Sequence, residues 1–486
     1  MAEQGLRDKT VKGTFWSAAD AFLGQGVTFV VGIVLARLLS PEEYGLIGIV
    51  TIFTTVLLGI VDSGFSSSLI RKPNVTDKDY NTLFFFNLTV SIVMFTLLFF
   101  AAPLIARFFE RPQLVALVRV MGLLLIFQAL SIVQMTKLSR RIDFKTKTKA
   151  SLISSVVSGV VGICMAFMGY GVWSLAGQQL TRQLVYSICL WVYNKWWPKL
   201  MFSVECLRYM WGFGWKLLVS DMLDKIWAES KKVVVSKFYS PFTLGQYSKA
   251  FEYAKIFSSN FTSIIQRVTY PALAQVQNDK TRMISAYRRV IKTTMFVTAV
   301  CMFFIGAVSE PMIFCLIGPK WHMAATFLPI ICIYRSMYPL QAINLNMLKV
   351  QGRTDRFLFL EIIKKIILLG PLFVGAFIGI YWMLLCSVLT SFIFFFLNSY
   401  YSGKDYGYTS WMQLKDVAPS YGVATTVALS VYFFKYLPIS NWIILPIQLV
   451  VGAGVLLAVC EISKLPEYLE VKGIALDFVK KLLHKS

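Results

Sequence analysis

Residues 81–102 read NTLFFFNLTVSIVMFTLLFFAA, a run without a single Asp, Glu, Lys or Arg. A helix needs about 20 apolar residues to cross the ~30 Å of hydrocarbon in a bilayer, and this run has that length. Reading outward from it, similar apolar blocks lie near 14–38, 43–67, 113–136, 150–169 and 172–194. A second series lies near 209–236, 243–272, 290–316, 323–348, 357–379 and 381–401, with two more near 417–436 and 440–462. The pattern predicts an all-α, polytopic membrane protein of about fourteen spans. Bulk composition agrees: 57% of the 486 residues are hydrophobic and 15% charged, against about 25% charged in soluble domains. No polar stretch is long enough to build a soluble domain.

The net charge of +23 does not point to nucleic acid, because the basic residues are scattered between apolar blocks and form no single soluble face. They follow the positive-inside bias of membrane proteins. With the N-terminus inside, inner segments hold Arg71, Lys72 and Lys78; Lys137, Arg140, Arg141, Lys145, Lys147 and Lys149; Lys280, Arg282, Arg288 and Arg289; and Lys349, Arg353 and Arg356. Outer segments hold few, among them Arg37, Lys237, Lys320 and Lys435. The alternation predicts an even number of spans with both termini in the cytoplasm. The basic start runs straight into apolar sequence to about Leu39, which reads as a retained first span and not a cleavable signal. The tail, KGIALDFVKKLLHK (472–485), reads as an amphipathic helix on the membrane surface.

RLLSPEEYG (37–45) and KFYSPFTLG (237–245) match at one offset of 200: Ser40-Pro41 with Ser240-Pro241, Gly45 with Gly245, Arg37 with Lys237. Six spans separate the copies, so the two halves insert in the same direction, as parallel transporter repeats do. This divides the chain into an N-terminal six-helix lobe (1–200), a C-terminal six-helix lobe (201–403), and two added spans with a cytoplasmic tail (404–486).

The seventh block departs from the apolar rule. FGWKLLVSDMLDKIWAESKKVVVSKF (213–238) carries Lys216, Asp221, Asp224, Lys225, Glu229, Lys231 and Lys232. Each charge at a helix centre costs ~2.5–3.5 kcal/mol on insertion scales, so these must face protein or water. Asp221, Lys225, Glu229 and Lys232 share one face, where neighbours can pair. Polar groups recur at Lys249, Glu252, Ser259, Ser263 and Arg267 in the eighth block, at Arg182 beside Gln178 and Gln179 in the sixth, at Arg335 in the tenth, and at Glu361, Lys364 and Lys365 in the eleventh. Two readings are open: interhelical ion pairs that fix helix rotation, or a water-filled cavity with more cations than anions. The second would suit an anionic ligand, since the guanidinium fork matches phosphate. Arg182, Lys216, Lys225, Arg267 and Arg335 are the candidate substrate-binding cations. Asp20, Asp62, Asp224, Glu229 and Glu361 are candidates for ion coupling or gating.

No GxxxxGK[ST], HExxH or GxSxG occurs, and no paired carboxylates sit in a soluble loop, so an ATP-driven pump or a membrane enzyme is not indicated. The eight cysteines are well separated, without CxxC, and read as small core hydrophobes. With His322 and His484 the only histidines, neither a metal site nor a cofactor is expected.

KGTFWS (12–17), QGVTFVVGIVLARLLSPEEYGLIGIV (25–50), DSGF (62–65) and RVTYPALAQVQND (267–279) resemble bacterial polysaccharide and oligosaccharide flippases. These form the polysaccharide-transport branch of the multidrug/oligosaccharidyl-lipid/polysaccharide exporter superfamily. The resemblance implies two six-helix lobes and two added helices in a bacterial inner membrane. It implies movement of a polyprenyl-diphosphate-linked oligosaccharide from the inner to the outer leaflet by alternating access, for cell-surface polysaccharide or lipopolysaccharide synthesis. Membrane lipids and a polysaccharide polymerase or glycosyltransferases would be the partners, and no nucleic acid. An ion-coupled multidrug exporter of the same superfamily is the alternative, and would want an acidic cavity for cationic drugs.

Overall fold

A computed structural model of the chain describes residues 24–62, 64–275 and 279–473. Asp20 and nearly all of the predicted tail helix lie outside the described residues. Helices occupy every predicted apolar block over its described residues. The first six blocks hold α1 (Gln25–Leu38), α2 (Pro41–Asp62) with α3 (Phe65–Arg71), α4 (Asp77–Phe108), α5 (Leu114–Met121) with α6 (Leu123–Arg140), α7 (Phe144–Phe167) and α8 (Val172–Asn194). The long helices α9 (Val204–Phe238) and α10 (Pro241–Gln275) follow. Next come α11 (Lys280–Ala307) with α12 (Ser309–Ile317), α13 (His322–Ser336) with α14 (Tyr338–Val350), α15 (Thr354–Phe377) and α16 (Ile380–Gly403). The last two are α17 (Ser410–Tyr432) and α18 (Asn441–Ser463). Nine of the described helical stretches are long and apolar enough to cross a membrane by length and composition.

The distribution of polarity on α4 shows what solvent the fold is built for. Its outward stripe is Val93, Leu97, Phe100 and Leu104, with Phe100 72% exposed, while Asn81, Asn87 and Ser91 are buried. That is the reverse of a soluble amphipathic helix, and it is what a helix with hydrocarbon on its outer face requires. The ends of α4 follow helix electrostatics. The Asp79 carboxylate, fully buried in the first turn, accepts from the Thr76 N–H (2.9 Å) and from Lys72 Nζ (2.7 Å). A negative charge there is stabilised by the helix dipole. Burial pulls the Lys72 ammonium down, but the Asp79 hydrogen bond and charge outweigh it and hold the group above its ordinary value. At the other end Lys237 donates to the Phe108 carbonyl (2.7 Å).

The chain forms two compact units, Met1–Gly245 and Gln246–Ser486. In the first, α7 and α8 form a tight hairpin, and α9 packs on α2, α3 and α4. The segment joining α8 to α9 is pinned to buried polar side chains: Lys199 N–H donates to Asn81 (2.7 Å), Ser203 N–H to Thr82 (3.1 Å), and Gln134 donates to the Trp196 carbonyl (3.1 Å). In the second unit Met283, Tyr287, Ile291 and Met295, four residues apart on α11, meet Leu340, Ile343 and Met347 of α14, Phe395 of α16 and Val417 of α17. The next face of α11 (Phe296, Ala299, Val300) packs on Val423, Ala424 and Val427 of α17. A buried polar knot sits in the first of these clusters. Asn344 Oδ1 accepts from the Tyr287 hydroxyl (2.5 Å), the Ser402 hydroxyl (2.5 Å) and Gln413 (3.1 Å), and Asn344 Nδ2 donates back to Gln413 (3.0 Å).

The two copies of the sequence repeat touch each other. A Cβ added at Gly45 would lie 1.8 Å from the Pro241 carbonyl oxygen, and one added at Gly245 would lie 1.8 Å from the Pro41 carbonyl oxygen. Each glycine admits the first turn of the other copy's helix, so the match at offset 200 records a reciprocal backbone contact within the first unit. Gly45→Ala and Gly245→Ala are each expected to destabilise by about 1–3 kcal/mol, the usual cost of overpacking a closed contact. The check is a lowered Tm of the detergent-solubilised protein. Gly454→Ala, where the added carbon meets nothing within 4 Å, is the neutral control.

Candidate functional site

The charges of α9 fall into two environments. Toward α2, Lys225 Nζ lies 2.7 Å from Asp221, as their i, i+4 spacing permits. The pair lies directly over Gly59: a Cβ there would come within 2.9 Å of Lys225 Nζ and 3.0 Å of Asp221 Oδ2. The missing side chain of Gly59 makes the room. Asp62, one turn further along α2, accepts from the Ser66 hydroxyl (3.1 Å), and the charges of Lys225 and Asp221 both reach it. The structure thus brings three predicted charges, Asp62, Asp221 and Lys225, into one cluster. A second pair, Glu229–Lys232 (2.7 Å), follows one turn on and is half-buried.

Away from this contact α9 is open. Trp215, Val219, Leu223 and Ile226 are exposed on one sector; Lys216, Ser220 and Asp224, at i, i+4, i+8, are exposed on the adjacent one. Lys216 makes no ion pair among the described residues. An apolar sector suits lipid, and a charged one requires water.

The other candidates are dispersed. Arg182 is exposed on α8. Arg267 lies on α10, where its side chain is outside the described part. Glu361 of α15 pairs locally with Lys364, and Lys249 of α10 with Glu252 (2.9 Å).

Arg335 of α13 stands apart. It lies near the middle of the helical pass 319–350, just before the chain breaks at Met337 between α13 and α14. Its Nε donates to the Ser258 hydroxyl (2.9 Å) and its Nη2 to the Ser259 hydroxyl (2.6 Å). The guanidinium lies over the rings of Phe251 (5.3 Å) and Tyr338 (4.7 Å). No carboxylate comes within ion-pair distance of it among the described residues. The side chain is positioned by two neutral hydroxyls and two aromatic faces, which orient a cation without cancelling its charge.

Several interactions escaped sequence reasoning. Arg140 clamps the end of α3 by donating to the carbonyls of Leu69, Lys72 (2.6 Å) and Pro73 (3.2 Å). Arg288 makes a bidentate pair with Asp416 (2.8 Å and 2.8 Å) across 128 residues of sequence. Lys292 reaches Asp416 (3.6 Å) and Glu467 (3.3 Å), and Arg289 reaches Glu470 (2.8 Å). Of these sets only Arg140, Arg288 and Arg289 were visible, as inner-segment charges. The described residues contain no group of three or more His, Cys, Asp or Glu placed to hold a metal ion.

If the Asp221–Lys225 pair holds α9 on α2, Asp221→Asn and Lys225→Met each lower the Tm, and the double variant loses less than their sum. The expected coupling is about 0.5–1 kcal/mol, modest because both side chains are partly exposed. Strict additivity in the double-mutant cycle would show that the pair is incidental.

A family described as "Polysaccharide biosynthesis protein" matches this chain over residues 34–326. The succinoglycan biosynthesis transport protein ExoT of Rhizobium meliloti (strain 1021) is 27% identical over 372 residues, 76% of this chain and 75% of that protein. The lipopolysaccharide biosynthesis protein WzxC of Escherichia coli (strain K12) is 21% identical over 385 residues, 76% of each. Among solved structures, the lipid II flippase MurJ in an inward closed conformation superposes with a TM-score of 0.71, at 15% identity, over 93% of this chain and 98% of that one. At that identity the likeness concerns the fold, an all-helical polytopic membrane architecture.

Proposed function

The chain belongs to the polysaccharide biosynthesis protein family, and from that premise we propose that it is a flippase. It moves a polyprenyl-diphosphate-linked oligosaccharide from the inner to the outer leaflet by alternating access, for cell-surface polysaccharide or lipopolysaccharide assembly. No covalent step is needed. The relatives named above are a transport protein for succinoglycan and a protein of lipopolysaccharide biosynthesis, and the cargo class is carried over from them. The resident membrane is the bacterial inner membrane, with both termini cytoplasmic as the Lys/Arg alternation favours. The lobes are 1–200 and 201–403, with 404–486 as the added helices and tail. A polymerase or glycosyltransferases would work on the same glycan.

The observation that carries this reading is Arg335, a mid-pass cation whose neighbours leave its charge uncancelled. A cation inside a membrane is costly and suits an anionic ligand, here the diphosphate. Arg182, Lys216, Lys225 and Arg267 are the other candidate cations for the cargo, with Lys216 exposed on α9 and Arg182 exposed on α8. Asp62 beside Lys225 is the gating candidate. Asp20, Asp224, Glu229 and Glu361 complete that set. A cation-coupled drug exporter is the second reading, and acidic charge in place of Arg335 would have favoured it.

Arg335→Ala is expected to lower flipping of a lipid-linked oligosaccharide in proteoliposomes by about 10–100-fold, the worth of one charge-assisted hydrogen bond to phosphate. Arg335→Lys retains part of the activity, since the charge survives without the fork. Unchanged flipping by Arg335→Ala at equal reconstitution would remove the cation from the mechanism. Efflux of a cationic dye by the wild-type protein, with no flipping, would replace the flippase by the exporter.

A further inference from the structure

A cavity of about 550 Å³ opens beside the first four turns of α11, lined by Thr281, Ser285, Arg288, Arg289 and Lys292 together with Glu467 and Glu470 of the helical segment 466–473. Contacts place three helix ends at one level here. Arg288 reaches Asp416 near the start of α17, and Lys292 reaches Glu467 just beyond the end of α18. The 28 residues of α11 extend ~42 Å, more than the ~30 Å hydrocarbon thickness, so its first turns stand at the height of lipid headgroups. Ile462 (83% exposed) and Leu469 (51% exposed) leave apolar surface at the same level.

The charges of this cavity are mixed and spare. Arg289 uses only Nε on Glu470, and Arg288 uses Nε and Nη2 on Asp416, so both forks keep N–H groups to donate. Glu467 is 4% exposed; its Oε1 meets Lys292, while the buried Oε2 has no hydrogen-bond partner among the described residues. A buried carboxylate oxygen without a donor is costly and asks for one. Three cations here face three carboxylates (Asp416, Glu467, Glu470), so a purely anionic ligand gains little. A ligand carrying both a phosphate and an ammonium satisfies both sets.

We propose that this cavity binds the phosphoethanolamine headgroup of phosphatidylethanolamine, phosphate toward Arg288 and Arg289, ammonium toward Glu467. The bound lipid ties segment 466–473 to α11. The site is independent of the cargo assigned above.

The test uses the purified full chain in native mass spectrometry, titrated with dioleoyl phosphatidylethanolamine, phosphatidylcholine and phosphatidylglycerol. Phosphatidylethanolamine is expected to bind about 10-fold more tightly than either, since only it offers N–H donors beside the phosphate. Glu467→Gln abolishes that preference. Arg289→Gln, on an exposed side chain that folding tolerates, weakens all three lipids together by about 10-fold. Equal binding of the three lipids to the wild-type protein would overturn the proposal, as would a preference surviving Glu467→Gln in folded protein, or Arg289→Gln without effect. Soluble phosphoethanolamine binding as tightly as the lipid would assign the cavity to a free zwitterion and overturn the lipid assignment.

Discussion

Hydrocarbon offers a charged side chain neither hydrogen bonds nor screening, and this constraint organises the fold. Where α4 meets lipid it shows mainly Ile, Val, Leu and Phe, while Asn81 and Thr82 turn inward to hold the α8–α9 connection. α9 carries ten charged residues, and two arrangements among them are visible. Some are paired at one-turn spacing and laid into room left by a small residue, as Asp221 and Lys225 are over Gly59. Lys216 and Asp224 stand on an exposed sector, which requires water. A helix whose two exposed sectors demand different solvents must lie where lipid and water meet.

The reciprocal contact of Gly45 with Pro41's counterpart, and of Gly245 with Pro41 itself, shows how the repeat is used. Proline suits the first turn of a helix because its missing N–H would have no partner there. Its own carbonyl can then approach another backbone closely, provided the opposing residue lacks a Cβ. Proline and glycine four residues apart therefore serve two purposes: each copy starts its own helix and accepts the start of the other. Local turn chemistry alone would explain the proline but not the distance of 1.8 Å that forbids any side chain at the glycine.

Legibility in the sequence followed the range of each signal. The uncharged run 81–102 located α4, but the helix extends over Asp77–Phe108, because Asp77, Asp79 and Arg107 complement its dipole and an apolar window discards them. The break between α2 and α3 was invisible as periodicity, although Gly64 of the DSGF stretch makes it with φ +65°. The pairing of Asp221 with Lys225 was readable because a helix fixes what lies at i+4. Arg288 with Asp416 was not, since no spacing relates residues 128 apart until the helices pack. The same reason hid the surroundings of Arg335. Its position mid-pass and its want of a sequence-local acid were plain, but Ser258 and Ser259 reach it from another helix.

Those surroundings bear on how a cation can serve a cargo that must leave again. A guanidinium held by a carboxylate would be stable at rest and would gain little from phosphate, which would have to displace an equal charge. A guanidinium held by nothing would be too costly to keep in a membrane and would bind phosphate too tightly to release it. Two hydroxyls and two ring faces fall between these limits. The hydroxyls take two of the five N–H donors and leave the charge available to an anion. The cation–π contacts at 4.7 and 5.3 Å hold the plane of the fork. Transport needs binding that is specific but shallow, and neutral partners around a single cation provide that by ordinary electrostatics.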